Sequence, residues 1–564
     1  MPGPWTAHYD PEVPPSLAPY QDRTLVDVLD DMARERPAHP AILFKGAAIP
    51  AARLAAESRA FAAALTALGV VPGDRVALLL PNTPQLLVAQ YGAWRAGAIT
   101  VPLNPFYTPR ELAGALEGTT PVAIVTLTPY YASVKALQAS SSVRHVIATS
   151  IKEYLPPVTR VLFTLVKEKK AGHRISLARG DHWLPALLRT HAGSVSPAVI
   201  VRPGDPAVIL SSGGTTGTPK GVVGTHRDYI LAGSQLRSWT SPARKDWLDT
   251  VMLPLPLFHV YANVGVQSLA LLGGNPLALV PNPRDIDDIL ATIQRVKPGC
   301  FTAVPTLFTA ILNHRRVRQG KVDLSSIKLV FSGAAPLMAE TKRQFETATG
   351  ARIIEGYSLT EALMAACINP VRGTQKMGSV GVPVSDVEVR IVDADAGDRE
   401  LASGEVGELI LRAPQQMAGY WQNPEETALV LREHGPGGAW VHTGDLAYRD
   451  DDGYLFIVDR KKDLIKVSGF QVWPREIEEV LAAHPAVLEV GVAGVQHAVR
   501  GEVPHAWVVL RAGQQATADE LRAWCRERLT RYKVPAHVEF RDSLPKTLVG
   551  KILRRSLTSD ARPS

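Results

Sequence analysis

Apolar and polar residues alternate along the chain with two different periods. The alanine-rich stretch 53–68 predicts a helix, whereas the apolar runs 75–80 and 206–210 are typical of short buried strands. From Leu25 onward, helical and extended patterns follow one another with turn residues between them. This interleaving predicts helices layered on sheets, as in α/β proteins.

The pattern changes near residue 450. Residues 446–448 and 454–458 flank an Asp-Asp-Asp-Gly turn and predict a β-hairpin, and the charged stretch 459–463 follows. Beyond it, Pro474 begins a predicted helix whose apolar residues share one face. We therefore place a domain boundary at the charged stretch.

The predicted fold class is α/β, and 564 residues are too many for a single core. We predict a large multi-layered N-terminal domain with α/β sheets, residues 1–458. A small α+β C-terminal domain, residues 459–564, would follow it.

Composition narrows the class of protein. Hydrophobic residues make up 46% and charged residues 20% of the chain, which excludes a disordered protein. The net charge of +7 is modest and suits anionic ligands or an anionic lipid surface. Because the sequence has no basic stripe interleaved with aromatic residues, we expect no nucleic-acid partner. The three cysteines are far apart and show no disulfide or metal-ligand spacing. Because neither a signal peptide nor an apolar run of membrane-spanning length is visible, we expect a cytoplasmic protein.

One segment, residues 153–174, combines a short apolar stretch with a cluster of lysine and arginine residues. Such a combination can contact a membrane surface. The alternative is a connecting helix whose apolar side packs in the core. Both interpretations stay open here: a possible peripheral contact with the inner membrane surface, or a core helix. A possible homodimer is open as well.

The most informative motif is the glycine-rich segment 211–221, Ser-Ser-Gly-Gly-Thr-Thr-Gly-Thr-Pro-Lys-Gly. Glycines allow backbone N–H groups to form an anion-binding concavity, threonine hydroxyls add donors, and a lysine supplies positive charge. A Walker A loop is excluded because Gly221, not serine or threonine, follows the lysine. We predict that phosphate is bound by Ser212, Gly213, Gly214, Thr215, Thr216, Gly217 and Lys220.

Six further motifs follow this loop, each weak alone but specific in their joint order. They are Pro-Leu-Phe-His-Val-Tyr at 256–261, Ser-Gly-Ala-Ala-Pro-Leu at 332–337, Glu-Gly-Tyr-Ser-Leu-Thr-Glu at 355–361, His-Thr-Gly-Asp at 442–445, Asp-Arg at 459–460 and Pro-Lys-Thr-Leu-Val-Gly-Lys at 545–551. With these motifs the chain resembles the adenylate-forming acyl-CoA synthetase and luciferase superfamily. Within it, the chain is most similar to bacterial long-chain fatty-acid–CoA ligases.

The resemblance implies a reaction in two steps. A fatty acid attacks the α-phosphate of ATP, giving acyl-AMP and pyrophosphate, and coenzyme A then displaces AMP to form a thioester. ATP and coenzyme A would be bound as substrates, with Mg²⁺ as the metal. Neutralisation of charge and alignment of the attacking oxygen suffice, so no protein nucleophile is required.

The resemblance also assigns roles to residues near the nucleotide. Tyr357 would stack on adenine, Asp445 would accept hydrogen bonds from the ribose hydroxyls, and Mg²⁺ would be held by Thr215 or Thr216 with Glu361. Besides the phosphate loop, the implied ATP-binding residues are Gly333, Ala334, Ala335, Glu355, Gly356, Tyr357, Thr360, Asp445 and Arg460.

The remaining roles concern catalysis and domain movement. Lys551 would bridge the attacking carboxylate and the phosphate oxygens. His259 would lie near the acyl carboxylate, with a core histidine as the alternative. Lys462 would be the hinge about which a mobile C-terminal domain rotates, bringing Ser468 and Gly469 to coenzyme A. The acyl pocket would include Trp239, Val264 and Val304.

Several alternatives to a long-chain fatty-acid–CoA ligase stay open. Within the superfamily they are a medium-chain or aromatic acid–CoA ligase and an acyl-AMP ligase that loads a carrier protein. From another class, the alternative is a luciferase-like oxygenase.

Overall fold

The computed structural model describes most of the chain. The described residues are 3–194, 199–212, 220–335, 337–435, 437–468, 470–497, 499–547 and 551–559. The predicted phosphate-binding residues Gly213, Gly214, Thr215, Thr216 and Gly217, and the predicted coenzyme A residue Gly469, lie outside them.

A largely parallel sheet forms the first layer of the N-terminal domain. Its strands, in spatial order, are Val382–Pro383, Met364–Ile368, Arg352–Leu359, Leu329–Ser332, Cys300–Ala303, Val251–Leu253, Leu277–Leu279, Pro40–Phe44 and Ala47–Pro50. The strands from Arg352–Leu359 to Pro40–Phe44 are parallel, so their carboxyl ends meet at one edge.

A second sheet is likewise parallel except at one end. In spatial order its strands are Gly419–Tyr420, Gly221–Thr225, Pro206–Ser211, Ile99–Pro102, Arg75–Leu79, Ala123–Leu127, His145–Thr149 and His182–Trp183. The strands predicted at 75–80 and 206–210 are thus confirmed, and so is the helix predicted at 53–68, which spans Ala51–Ala67.

The helix Pro84–Arg95 lies between the two sheets. Every one of its residues is buried, including the polar Gln85, Gln90 and Arg95. Just before it, the Asn82 side-chain amide donates to the Leu253 carbonyl of the first sheet, while near its end Trp94 donates to the Ala207 carbonyl of the second. One hydrophobic core therefore joins both sheets.

A third, antiparallel sheet leads toward the C-terminal domain. It contains Glu388–Val392, Gly407–Arg412, Ala439–Arg449, Leu431–Glu433 and Leu455–Arg460. The predicted hairpin is confirmed, because Leu455–Arg460 pairs antiparallel with Ala439–Arg449. The second strand continues through Asp459 and Arg460, two residues past the predicted boundary, and that boundary stays a prediction.

The C-terminal domain has its own sheet and its own core. The sheet contains Phe470–Val472, Ile465–Val467, Gly501–Leu510, Val487–His497 and His537–Phe540. The predicted helix is Pro474–Ala482, and its buried Ile477 and Leu481 pack in a cluster formed by residues from Ile465 onward. The fold is therefore α/β with a separate small α+β domain, as predicted.

Helices cover the faces of these sheets. The α-helices are Leu25–Glu35, Ala51–Ala67, Pro84–Arg95, Pro109–Thr119, Tyr131–Gln138, Pro157–Leu162, Leu184–Thr190, His226–Thr240, Gln267–Leu272, Ile286–Val296, Pro305–Asn313, Arg315–Arg318, Ala339–Thr349, Pro424–Val430, Pro474–Ala482, Ala518–Arg526 and Arg554–Ser559. Wider π-helical turns occur at Phe163–Lys167 and Tyr261–Val266. In the part of the chain that the structure describes, no helix is both long and apolar enough to cross a bilayer.

Candidate active site

A large cleft of about 2080 Å³ is lined by both domains. The N-terminal domain contributes residues from the motifs that the sequence singled out, and the C-terminal domain contributes Lys551. The predicted site residues that line it are Ser212, Lys220, His259, Ala334, Ala335, Glu355, Gly356, Tyr357, Thr360, Glu361, Asp445, Arg460, Lys462 and Lys551. One cleft thus collects residues from along the whole length of the chain.

The glycine-rich loop connects two antiparallel strands, Pro206–Ser211 and Gly221–Thr225. At its base, the Ser212 N–H donates to the Lys220 carbonyl oxygen at 2.8 Å. A Walker A loop instead leads from a strand into a helix, so the structure agrees with its exclusion. Phosphate contacts by residues 213–217 stay a prediction.

Lys220 at the end of this loop is held by a second segment. Its Nζ lies 2.5 Å from Glu426 Oε2 and 5.1 Å from the centre of the Tyr420 ring. The Tyr420 hydroxyl donates to Glu361 Oε1 at 2.8 Å, and burial with this carboxylate nearby raises the tyrosine pKa. Tyr420 therefore links the lysine of the phosphate loop to the predicted magnesium ligand.

The predicted adenine-binding segments leave neighbouring parallel strands. Leu329–Ser332 pairs with Arg352–Leu359 so that Ser332 lies opposite Glu355. The segment after Ser332 is tightly bent: Ala334 has φ +68°, a left-handed conformation that costs energy for a residue other than glycine. A side chain at Gly333 would come within 3.6 Å of the Gly356 carbonyl. Small residues thus lie close beside the strand that carries Tyr357.

Asp445 is held by two partners from different strands. The Tyr357 hydroxyl donates to its Oδ2 at 2.5 Å, and Arg460 Nε lies 2.9 Å from its Oδ1. Asp445 and Arg460 face each other in the pairing of their strands. Asp445 is only 5% exposed. The burial of Tyr357 and the nearby Asp445 carboxylate raise the pKa of Tyr357 well above its usual value. The carboxylate is therefore fixed in orientation at the cleft wall, and its contact with ribose stays a prediction.

Glu355 and Thr360 flank Tyr357 in the cleft. Lys342 Nζ lies 3.4 Å from Glu355 Oε1, and burial raises the pKa of this carboxyl group despite the lysine. Thr360 is buried and begins the short turn Thr360–Ala362, which carries Glu361. The turn places the carboxylate of Glu361 beside Tyr420.

His259 is half-buried and lies two residues before the π-helical turn Tyr261–Val266. Its carbonyl accepts the N–H groups of Ala262 and Asn263, and its Nδ1 makes no hydrogen bond to any described residue. Burial lowers its pKa to about 4, so the imidazole is neutral at pH 7. His259 lines the cleft. Its contact with the acyl carboxylate stays a prediction, with the core histidine as the alternative.

The structure places the predicted acyl-pocket residues away from the cleft wall. Trp239 is a core residue, with its Nε1 donating to the Asn369 carbonyl at 3.1 Å and its ring packed edge-on against Tyr9. Val264 and Val304 are also buried, and neither lines the cleft. The wall next to Val304 is formed by Pro305 and Thr306 instead. An apolar residue in the core and one in a pocket have the same sequence pattern, which explains the difference.

Lys551 lines the cleft from the C-terminal domain. The next residue, Ile552, forms an antiparallel bridge with Lys546. The Thr547 N–H donates to the Lys551 carbonyl at 2.8 Å, and the Lys551 N–H donates to Thr547 Oγ1 at 3.1 Å. Burial, and then the positive charge of Arg460, lower the Lys551 pKa to about 8, while Asp445 acts in the opposite direction. Lys551, Asp445 and Arg460 all line the same cleft.

Comparison with known proteins identifies the family. The pattern of the AMP-binding enzymes matches residues 29–421, and that of the AMP-binding enzyme C-terminal domain matches residues 476–551. The chain is an AMP-binding enzyme. Two similar proteins are the long-chain-fatty-acid–CoA ligases of Bacillus subtilis and Salmonella typhimurium, each 38% identical over 99% of this chain and 98% of the relative. The 4-coumarate–CoA ligase 2 of Oryza sativa is 35% identical over 88% of this chain and 85% of its own.

Solved structures of similar fold come from the same group of ligases. ATP-bound MatB from Rhodopseudomonas palustris has a TM-score of 0.82 at 29% identity and covers 96% of this chain and 99% of its own. The anthranilate CoA ligase AuaEII in complex with anthranoyl-AMP also has a TM-score of 0.82, at 27% identity, and covers 96% and 98%.

The predicted hinge of this AMP-binding enzyme lies between two sheets. Lys462 is in the short turn Lys461–Asp463, between strand Leu455–Arg460 and the first strand of the C-terminal sheet, Ile465–Val467. Burial and the charge of Arg460 lower the Lys462 pKa. Ser468 follows with φ +50° and donates its N–H to the Arg500 carbonyl, and it is not among the residues that line the cleft. Roles in rotation and in coenzyme A binding stay predictions.

Arg554 was not predicted from the sequence, where it resembled one more basic residue near the terminus. Its Nη1 lies 2.8 Å from Asp459 Oδ1 and 3.0 Å from Asp463 Oδ2, and its Nη2 lies 2.8 Å from Glu478 Oε2. These carboxylates belong to the strand Leu455–Arg460, to the turn Lys461–Asp463 and to the helix Pro474–Ala482. Arg554 therefore fixes the segment that carries Lys551 against both sides of the turn Lys461–Asp463, the predicted hinge of this AMP-binding enzyme.

Proposed function

We propose that this AMP-binding enzyme is a long-chain fatty-acid–CoA ligase. It converts a fatty acid and ATP into acyl-AMP and pyrophosphate, and then transfers the acyl group to coenzyme A with release of AMP. The identity with two long-chain-fatty-acid–CoA ligases over nearly the full chain supports the substrate class. The observation that carries the reaction is the convergence of Tyr357, Asp445 and Arg460 with Lys551 in one cleft.

The first step needs charge neutralisation more than it needs a nucleophile. A carboxylate oxygen must approach the negatively charged α-phosphate, and the P–O bond to pyrophosphate breaks as the new P–O bond forms. The Lys551 ammonium, in the same cleft as the nucleotide-binding pair, offsets this repulsion without reorganising during the step. Asp445 and Arg460 hold the ribose, so that the α-phosphate is aligned for attack.

Mg²⁺ fits the donor atoms at the phosphate end of the cleft. Glu361 offers a hard oxygen ligand that is held in place by Tyr420, and Thr215 or Thr216 would add a hydroxyl oxygen. The ion supplies neutralisation of the phosphate charges when it is bound. Among the described residues, no group of three or more His, Cys, Asp or Glu side chains is arranged to hold a metal ion.

The second step requires a different arrangement of the two domains. The thiol sulfur of coenzyme A attacks the acyl carbon, the thiol proton is lost, and the C–O bond to AMP breaks as the C–S bond forms. Lys462 would be the hinge for this change, and Ser468 with Gly469 would approach the pantetheine arm. The Arg554–Asp459 ion pair, which spans the turn Lys461–Asp463, would have to open if the rotation occurs there.

An aromatic acid is the second candidate substrate, favoured by the 35% identity with a 4-coumarate–CoA ligase. The two are separated by thioester formation with saturated acids of graded length and with 4-coumarate, each with coenzyme A or with a phosphopantetheinyl carrier protein. For the long-chain assignment kcat/KM should rise with length by up to about fourfold per methylene until the pocket is filled. Faster turnover of 4-coumarate, or transfer to the carrier alone, would contradict it. Oxygen uptake would indicate the luciferase-like alternative.

Two finer properties belong to this proposal. The enzyme would meet its apolar substrate at a membrane surface, and it could act as a homodimer. Light scattering of the purified protein tests the homodimer.

A further inference from the structure

The helical segment 157–167 presents an apolar stripe to solvent. Val158 is 72% exposed, Leu165 77% and Val166 60%, and Val161 and Leu162 are more than half exposed. Their spacing of three and four residues places all five on one face of the helix. The interpretation of this segment as a helix with its apolar side in the core is therefore wrong.

Polar contacts on the other side hold this stripe outward. Lys152 Nζ lies 2.5 Å from Glu168 Oε1, and Arg160 Nη2 lies 2.9 Å from Glu153 Oε2. The Glu168 carbonyl accepts the His173 N–H at 2.8 Å, so that the segment closes back on the domain. Because Glu168 is buried and paired, the helix is fixed with its apolar side facing away from the protein.

The charge around the stripe is strongly positive. Residues 152–174 contain six lysine and arginine residues and two glutamates. Both glutamates are paired with bases of the same segment. The lysines at 167, 169 and 170 and Arg174 are exposed at its C-terminal end. The surface therefore combines aliphatic side chains with excess positive charge and presents no exposed tryptophan or tyrosine, the residues that usually anchor protein partners.

We propose that this surface, residues 158–170, docks on an anionic phospholipid bilayer. The aliphatic stripe enters the boundary between headgroups and acyl chains, and the lysines pair with lipid phosphates. Neither contribution alone gives firm binding, and the segment supplies both. The biological purpose of this docking rests on the proposed function: a long-chain acid partitions into the bilayer, and the enzyme would take it up there.

The test is cosedimentation of the full chain with vesicles of phosphatidylglycerol and phosphatidylcholine in equal parts, and with phosphatidylcholine alone. The wild-type protein should bind the anionic vesicles and be released by salt. The double change Leu162→Ser and Leu165→Ser should weaken binding about tenfold or more, and Lys169→Ala with Lys170→Ala at least about fivefold. Leu248→Ser, at another exposed leucine (74%) of the same domain, is the matched control and should leave binding unchanged.

Binding is measured without turnover, so its outcome is independent of the ligase proposal. Equal binding by all variants, or absence of binding to anionic vesicles, would overturn the docking surface. A dimer that dissociates on Leu162→Ser, without vesicle binding, would assign the stripe to self-association and also overturn it. With a water-soluble short acid, the variants should retain wild-type turnover; loss of this turnover would mean that the stripe supports the fold.

Discussion

Raising the pH through 8 should remove the positive charge of Lys551 and with it the first half-reaction. The pKa of this lysine is lowered from 10.5 to about 8 by burial and by Arg460, so the ammonium form dominates below pH 8 and is lost above it. The charged fraction is about 90% at pH 7 and about 10% at pH 9, which predicts a tenfold fall in rate. Removing the side chain with Lys551→Ala should cost about 10²–10³-fold.

The assay is acid-dependent release of pyrophosphate without coenzyme A. The pH profile of kcat/KM for ATP reports the pKa values of groups in the free enzyme, and the alkaline limb of this profile should lie near pH 8. Bound ATP adds negative charge, so the limb in kcat should lie at higher pH.

The matched control is Lys551→Arg, whose guanidinium stays charged throughout this range. Its rate should be lower, but the alkaline limb should disappear. Thioester formation from supplied acyl-AMP should not follow the limb in either protein. A limb that persists in Lys551→Arg, or that affects both half-reactions equally, would refute this role of the lysine.

Three further predictions concern the hinge, the domain contact and the metal. Lys462→Pro should accumulate acyl-AMP and stall thioester formation, since proline restricts the φ change of a rotation. Wild-type turnover in quenched-flow assays would contradict this. Arg554→Gln should slow adenylate formation about tenfold or more, because it breaks charge-assisted bonds on both sides of the predicted hinge. The reaction of supplied acyl-AMP should be largely kept, and Arg554→Lys should recover part of the lost rate. Equal loss in both steps would indicate a structural role only. Glu361→Gln should raise the Mg²⁺ concentration for half-maximal rate about tenfold, with Glu340→Gln on the cleft rim as an unchanged control.

Local motifs explain how much of the site could be predicted. The motif with Tyr357 and the motif with Asp445 are each one continuous stretch of sequence. Their residue types already indicate ring stacking and recognition of a diol. Their hydrogen bond, in contrast, joins strands far apart in the chain. Arg554 shows the limit most clearly, because its three carboxylate partners come from separate segments and no spacing connects them.

Periodicity was similarly informative only in part. It predicted the strand Pro206–Ser211 and the helix Ala51–Ala67, since both are buried where their apolar residues indicate. For residues 158–166 it gave the apolar face but not whether that face meets the core or solvent. The same ambiguity applies to Trp239, an apolar residue that we predicted in the acyl pocket and that the fold places in the core.

The most direct test of the central claim is a single-turnover reaction with ATP, Mg²⁺ and a long-chain fatty acid, first without coenzyme A. Each active site should release one pyrophosphate and retain one acyl-AMP, and added coenzyme A should convert this into acyl-CoA and AMP. Formation of ADP and phosphate, or no acid-dependent pyrophosphate, would contradict activation of the acid as an adenylate.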